Sequence, residues 1–192
     1  RRRELNLPNK LTIFRMLITP VFLAVFLWES LPHSFLWGAV LFAIGSATDF
    51  IDGMLARRNN QITVFGKLAD PVADKMLTTA ALLAFMKLGL CNIWIIMIVL
   101  IREFAVTSFR LVASAQGVVI PANVFGKLKT ISQMVFTLVI MLLGELSYLN
   151  ILPESFNLPL ISDCLLWITA ALAVLSGAVY IKKSVKLIDF SK

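Results

Sequence analysis

Four aspartates, Asp49, Asp52, Asp70 and Asp74, are the residues of this sequence whose type and spacing are best suited to chemistry. They lie in the stretch DFIDGMLARRNNQITVFGKLADPVAD, flanked by strongly apolar runs, and are four of the chain's eleven carboxylates. Spacings of three and four residues put each pair on one face of a helix. Asp70 followed by Pro71 reads as an N-cap and first helical residue. The simplest local geometry is therefore a helix ending near Ala56, a polar turn, and a second helix starting at Asp70. The two pairs then face each other across the turn. Carboxylates at such close quarters repel, so either they take up protons or cations hold them together. An all-oxygen donor set suits a hard divalent ion such as Mg²⁺ or Mn²⁺. Two capped helix ends with solvated carboxylates would explain Asp70 but not the other three.

The elements that must position these aspartates are apolar. Of 192 residues, 59% are hydrophobic and only 15% charged, too little polar surface for a soluble domain of this length. Apolar runs predict an all-α integral membrane bundle of six transmembrane helices, at about 11–28, 36–55, 71–88, 93–112, 127–146 and 160–181. Pro32, Gly89 with Asn92, Gly117 with Pro121 and Asn123, and Asn150 through Pro159 mark connections. No linker divides the chain, so residues 1–192 read as a single membrane domain. The first apolar run is long and lacks a small-residue cleavage site, so no cleavable signal peptide is expected. With six spans both termini share one side, and all but Lys87 of the 18 lysines and arginines fall on or near it. The positive-inside rule makes that side cytoplasmic, aspartates included.

Topology accounts for most of the net charge of +7, and the basic residues are too scattered among apolar runs to predict a nucleic-acid partner. Some of them lie deeper. Arg15 falls inside the first span and Arg102 about halfway along the fourth, where an ionisable group needs a partner or a wet cavity. Glu103 is a structural candidate to neutralise either one. Arg102, Val106 and Arg110 recur every four residues and form one helix stripe toward the cytoplasmic face. Arg110 is near enough to the interface to snorkel. Lys127 and Lys129 open the fifth span, where they can bind an anion or anchor the interface. Small residues from Gly38 to Gly53 line the second span and favour close helix packing. Cys91 and Cys164 are isolated, with no ligand or disulfide spacing, and His33 beside Pro32 reads as a solvated loop residue.

Written out, the acidic stretch is D-x2-D-G-x2-A-R-x8-G-x3-D-x3-D, from Asp49 through Gly53, Ala56, Arg57 and Gly66 to Asp74. All eight positions match the signature of the CDP-alcohol phosphatidyltransferases, which the chain resembles. LNLPNKLTIFR (Leu5 to Arg15), ADPVADK (Ala69 to Lys75), IREFAVTSFR (Ile101 to Arg110) and GKLKT (Gly126 to Thr130) extend the resemblance to bacterial-type phosphatidylglycerophosphate synthases. The last 60 residues or so add little beyond apolar character. The resemblance implies two divalent ions held by Asp49, Asp52 and Asp70, with Asp74 completing the site and serving as general base. It implies CDP-diacylglycerol as donor, seated by Gly53, Ala56, Arg57 and Gly66, and sn-glycerol 3-phosphate as acceptor. Arg110, Lys127 and Lys129 suit the acceptor's phosphate, and Arg15 and Arg102 are further candidates. It also implies a homodimer in the cell membrane, multi-pass, with the active site on the cytoplasmic face.

Two other readings compete. A sister enzyme would run the same chemistry on inositol phosphate or phosphatidylglycerol, of which inositol phosphate is the harder to separate because it is also anionic. A divalent-cation transporter would use the four aspartates as its pathway. That second reading leaves Arg57, Gly66 and the basic residues unexplained, and the carboxylates fall at one face rather than at the midplane that a transport pathway needs.

Overall fold

A computed structural model of the chain describes residues 7–59, 64–118, 120 and 123–187, with the backbone path alone for 7–9, 49–59, 64–71, 74 and 186. Six α-helices and no strand form among the described residues: α1 (Leu7–Phe26), α2 (Ser34–Asn59), α3 (Val64–Lys87), α4 (Ile93–Ala115), α5 (Val124–Tyr148) and α6 (Leu158–Leu187). They coincide with the six apolar runs because a long apolar segment can satisfy its backbone only within itself. By length and hydropathy, Val124–Tyr148 and Leu158–Val185 are apolar enough to cross a membrane, and Ser34–Thr48 is a shorter apolar stretch.

Several boundaries differ from expectation, among them the end of α6, which reaches Leu187 rather than 181. α2 runs three residues past Ala56, and α3 starts at Val64, so Asp70 and Pro71 lie inside a helix rather than at its start. A proline within a helix leaves the carbonyl four residues back without its donor, here that of Lys67. The helix continues all the same, since ending it there would leave several backbone groups without their helical partners instead of one. α1 behaves the same way and continues through Pro20.

The helices form two compact units interleaved along the chain. The first comprises Arg1–Phe85 and Thr137–Leu158, the second Met86–Phe136 and Pro159–Lys192, so the long helix α5 contributes to both. In the first unit α1 packs on α2. Its core is aromatic: Phe22, Phe42 and Phe85 are fully buried, Phe22 stacks on Phe26, and Phe26 meets Phe35 and Phe85 edge to face. Gly38 makes this possible, because a Cβ there would stand 2.5 Å from the Phe26 ring.

His33 is the half-exposed turn residue expected, but it also has a partner that the sequence does not announce. Its backbone is left-handed (φ 59°), and its Nδ1 pairs with the Glu145 carboxylate on α5. The other carboxylate oxygen of Glu145 accepts from the Leu36 backbone N–H in the first turn of α2 (3.2 Å), and Tyr148 lies edge-on to the imidazole. Glu145 is 6% exposed, so burial demands both partners. In the second unit a smaller core forms from Val106, Ala113, Ile120 and Tyr180 with Phe109 and Val118. There the connection before α4 is tied down by Asn92, whose side chain caps α4 at the Trp94 N–H while its own N–H donates to Asp163 on α6. Burial, reinforced by the Asp163 charge, pushes the Cys91 thiol in this connection up to about 12. It therefore stays protonated at physiological pH.

The Glu145 contacts generate a stability prediction. Glu145→Ala removes the His33 partner and exposes the first turn of α2, and should cost about 1–3 kcal/mol. Thermal unfolding in detergent measures the loss. Glu145→Gln, which can still accept from Leu36, should lose less.

Candidate functional site

α2 carries Asp49, Asp52, Gly53, Ala56 and Arg57, and α3 carries Gly66, Asp70 and Asp74. Helical geometry keeps Asp49 and Asp52 on one face of α2, and Asp70 and Asp74 on one face of α3. The side chains of all eight residues, and the 60–63 connection between the helices, lie outside the described residues. Among the described residues no group of three or more His, Cys, Asp or Glu gathers as a metal site. As a donor set, the four aspartates fit a hard divalent ion, offering carboxylate oxygens and no competing nitrogen or sulfur.

The basic residues separate into different settings. Arg15, on α1 in the first unit, is buried at 2% exposure, and its carbonyl accepts from the Thr19 hydroxyl. Arg110 and Lys127 are exposed, whereas Lys129 is buried. Lys127 and Lys129 are two residues apart and so point to nearly opposite sides of α5.

Lys129 belongs to a polar cluster in the second unit that joins three helices. Its Nζ donates to Glu103 Oε1 on α4 at 2.6 Å, and the same oxygen accepts from Arg102 Nη1 at 2.9 Å. Of the two partners considered for Glu103, the structure pairs it with Arg102. The other edge of that guanidinium is also held: Nε donates to Ser176 Oγ on α6 at 2.9 Å, and the serine hydroxyl donates onward to the Ala173 carbonyl. Two glycines leave room for Arg102. A Cβ on Gly177 would stand 3.2 Å from Arg102 Cγ, and one on Gly126 would stand 3.1 Å from Arg102 Nη2.

Asn123 completes the cluster. Its side-chain oxygen accepts from the Gly126 N–H, the third residue of α5, and its Nδ2 donates to the Ser176 carbonyl at 3.1 Å. One residue thus caps α5 and ties it to α6. Sequence reasoning missed Ser176 and saw Asn123 only as a turn residue. The asparagine just before an apolar run is a capping signal that could have been read. Ser176, one serine in an apolar helix, carries no such signal. Arg110 lies two turns beyond Arg102 on α4, about 12 Å along the axis, with Val106 between them facing the core.

Comparison with known sequences supplies what these contacts do not. The profile of the CDP-alcohol phosphatidyltransferase family matches residues 5–175. The chain belongs to the CDP-alcohol phosphatidyltransferase family. It is 39% identical over 190 residues to the CDP-diacylglycerol–glycerol-3-phosphate 3-phosphatidyltransferase of Bacillus subtilis (strain 168), covering 93% of this chain and 95% of that one. The protein of the same name from Rickettsia bellii (strain RML369-C) is 38% identical over 177 residues, covering 92% and 94%. A probable phosphatidylglycerophosphate synthase of Mycobacterium tuberculosis (strain ATCC 25618 / H37Rv) is 35% identical over 190 residues, covering 97% and 85%. Family membership and the two long apolar helices together mark a membrane protein. Large apolar side chains such as Leu17, Phe104, Leu111 and Leu160 are exposed, as the surface of a membrane protein allows.

The Arg102 contacts can be tested directly. Arg102→Met removes the donors to Ser176 and Glu103 and should destabilise the protein by about 1.5–3 kcal/mol, read as a lower unfolding midpoint. Arg102→Lys should recover only part of this, because one ammonium on a flexible stem cannot reproduce the planar fork.

Proposed function

We propose that this chain transfers the phosphatidyl group of CDP-diacylglycerol to sn-glycerol 3-phosphate, giving phosphatidylglycerophosphate and CMP. The observation that carries the reading is the unbroken aspartate signature at the junction of α2 and α3, in a chain similar over nearly its whole length to enzymes named for that reaction. Residues 1–192 act in this reading as one membrane domain of six spans with both termini cytoplasmic. The lysine and arginine distribution supports that orientation. Exposed Trp28, Trp94 and Tyr148, which flank the α1–α2, α3–α4 and α5–α6 connections, suit the opposite interface. Homodimer formation in the cell membrane belongs to the same reading and rests on the resemblance.

Asp49, Asp52 and Asp70, with Asp74 completing the set, would hold two divalent ions, Mg²⁺ or Mn²⁺. Bound there, the ions would supply charge neutralisation and Lewis-acid activation to the diphosphate. Arg57 adds positive charge for the diphosphate, and Gly53, Ala56 and Gly66 leave room for the nucleotide against the backbone. Asp74 takes the proton of the acceptor hydroxyl. The hydroxyl oxygen forms the new bond to the phosphorus that carries diacylglycerol, and the bond to the bridging oxygen breaks with its electrons leaving on CMP. Arg110, Lys127 and Lys129 are the candidates for the acceptor's phosphate, and since Lys127 and Lys129 face opposite sides of α5 only one of that pair contacts it.

The test is CMP release from CDP-diacylglycerol by purified protein with Mg²⁺. An acceptor panel would compare sn-glycerol 3-phosphate, inositol phosphate, serine and phosphatidylglycerol, and only the first should support rapid release. Asp49→Asn and Asp70→Asn should each abolish turnover with the unfolding midpoint little changed, and full activity in either overturns the metal assignment. Asp74→Asn should lose about 10²-fold or more in kcat, as loss of a general base does, while retaining CDP-diacylglycerol binding better than Asp49→Asn. Arg110→Ala should raise the KM for sn-glycerol 3-phosphate roughly tenfold or more, with Lys183→Ala, an exposed lysine outside the proposed set, as the control for surface charge.

A further inference from the structure

Glu103 occupies a position that the proposed reaction does not itself account for. It is a carboxylate in a set of cations meant to attract an anion, and it neither belongs to the aspartate signature nor suits a phosphate ligand. Its Oε1 nevertheless receives both Lys129 Nζ and Arg102 Nη1, at 2.6 and 2.9 Å. The Lys129 side chain is only 4% exposed, and an ammonium at that depth needs an anionic partner to remain charged and in place. Lysine is a point charge on a flexible stem, so its location is set by what holds the ammonium. The bond to Glu103 fixes it with one of its three donors.

Glu103 is held firmly in its turn. Arg102, bound at one edge to Glu103, is fixed at the other by Ser176 Oγ and lies close to the backbones of Gly126 and Gly177. The order of support runs from α6 through Ser176 to Arg102, then to Glu103, and from Glu103 across to Lys129 on α5. Two cations share one carboxylate oxygen, which holds the ammonium and the guanidinium at fixed points.

From this geometry we propose that Glu103 is a positioning residue for the acceptor: without touching substrate, it sets the Lys129 ammonium where the acceptor's phosphate is to be received. The proposal rests on the reading of Lys129 as a phosphate-binding residue. It differs from simple charge compensation in a measurable way. If Glu103 only diluted the positive charge, removing its charge would strengthen acceptor binding. If it positions Lys129, removing its charge weakens acceptor binding and acts through that lysine.

The experiment measures steady-state kinetics of the full chain in detergent, with sn-glycerol 3-phosphate and CDP-diacylglycerol varied separately, for Glu103→Gln, Lys129→Met and the double variant. Glu103→Gln should raise the acceptor KM about tenfold, the scale of one charge-assisted contact, with the CDP-diacylglycerol KM within about twofold of the parent. Lys129→Met should raise the acceptor KM comparably. In the double variant the two effects should not multiply, because the carboxylate acts through the lysine. An unchanged or lowered acceptor KM in Glu103→Gln overturns the proposal, as does a fall in kcat with both KM values unmoved, or full multiplication in the double variant. Should Glu103→Gln fail to fold, Glu103→Asp carries the same test, since it keeps the charge but withdraws it by one methylene. A smaller rise confined to the acceptor KM is then expected, and no rise overturns the proposal. If Lys129→Met leaves the acceptor KM unchanged, the phosphate-binding reading of Lys129 falls and the proposal falls with it. If Lys129→Met raises it and Glu103→Gln does not, the proposal alone falls.

Discussion

A charge placed among apolar helices is stable only beside a partner, and this constraint governs how the polar residues of the protein are arranged. Taking a carboxylate or ammonium out of water costs several kcal/mol unless opposite charge and hydrogen bonds replace the lost hydration. In each compact unit a carboxylate with little exposure links distant parts of the chain. In the first unit Glu145 joins α5 to His33 and to the first turn of α2. In the second, Glu103 joins α4 to α5 and, through Arg102, to α6. Apolar packing between such helices is weakly directional, whereas these bonds have fixed donors and acceptors, so they set which helix faces meet.

Small residues work together with these bonds. Gly126 and Gly177 leave the volume that the Arg102 side chain occupies, as Gly38 leaves the volume for the Phe26 ring. In one unit the space is filled by an aromatic core and in the other by a guanidinium. An arginine seated in this way is rigid, because its stem is confined and both edges of its fork are bonded. Rigidity of this kind is what a lysine lacks by itself, and the Arg102–Glu103 pair lends it to Lys129.

The aspartate stretch follows a different logic. Its four carboxylates are carried on the last turns of α2 and the first turns of α3. Carboxylates brought together repel until protons or cations join them, which is why the proposed function completes the stretch with divalent ions. Charge pairs in the helical body stabilise helix packing, while the aspartate stretch, which also carries Arg57, Arg58 and Lys67, is the part that the proposed function assigns to divalent ions.

The sequence by itself determined six helices, their approximate limits and the family, because apolar run length and the spacing of the aspartate signature are local properties. It also put Arg102 too deep to stand without a partner, with Glu103 beside it in the chain. Tertiary structure alone decided the rest. Asp70–Pro71 carries a local start signal, yet α3 begins at Val64, since a break there would leave several backbone groups without helical partners instead of one. His33 meets Glu145 across 112 residues, a pairing no local pattern encodes. Lys127 and Lys129 are chemically alike, and helical periodicity says only that they face apart. Which of them turns inward depended on where Glu103 of another helix stood. Spacing along the chain fixes what shares a face, and only packing between helices fixes which face is buried and against what.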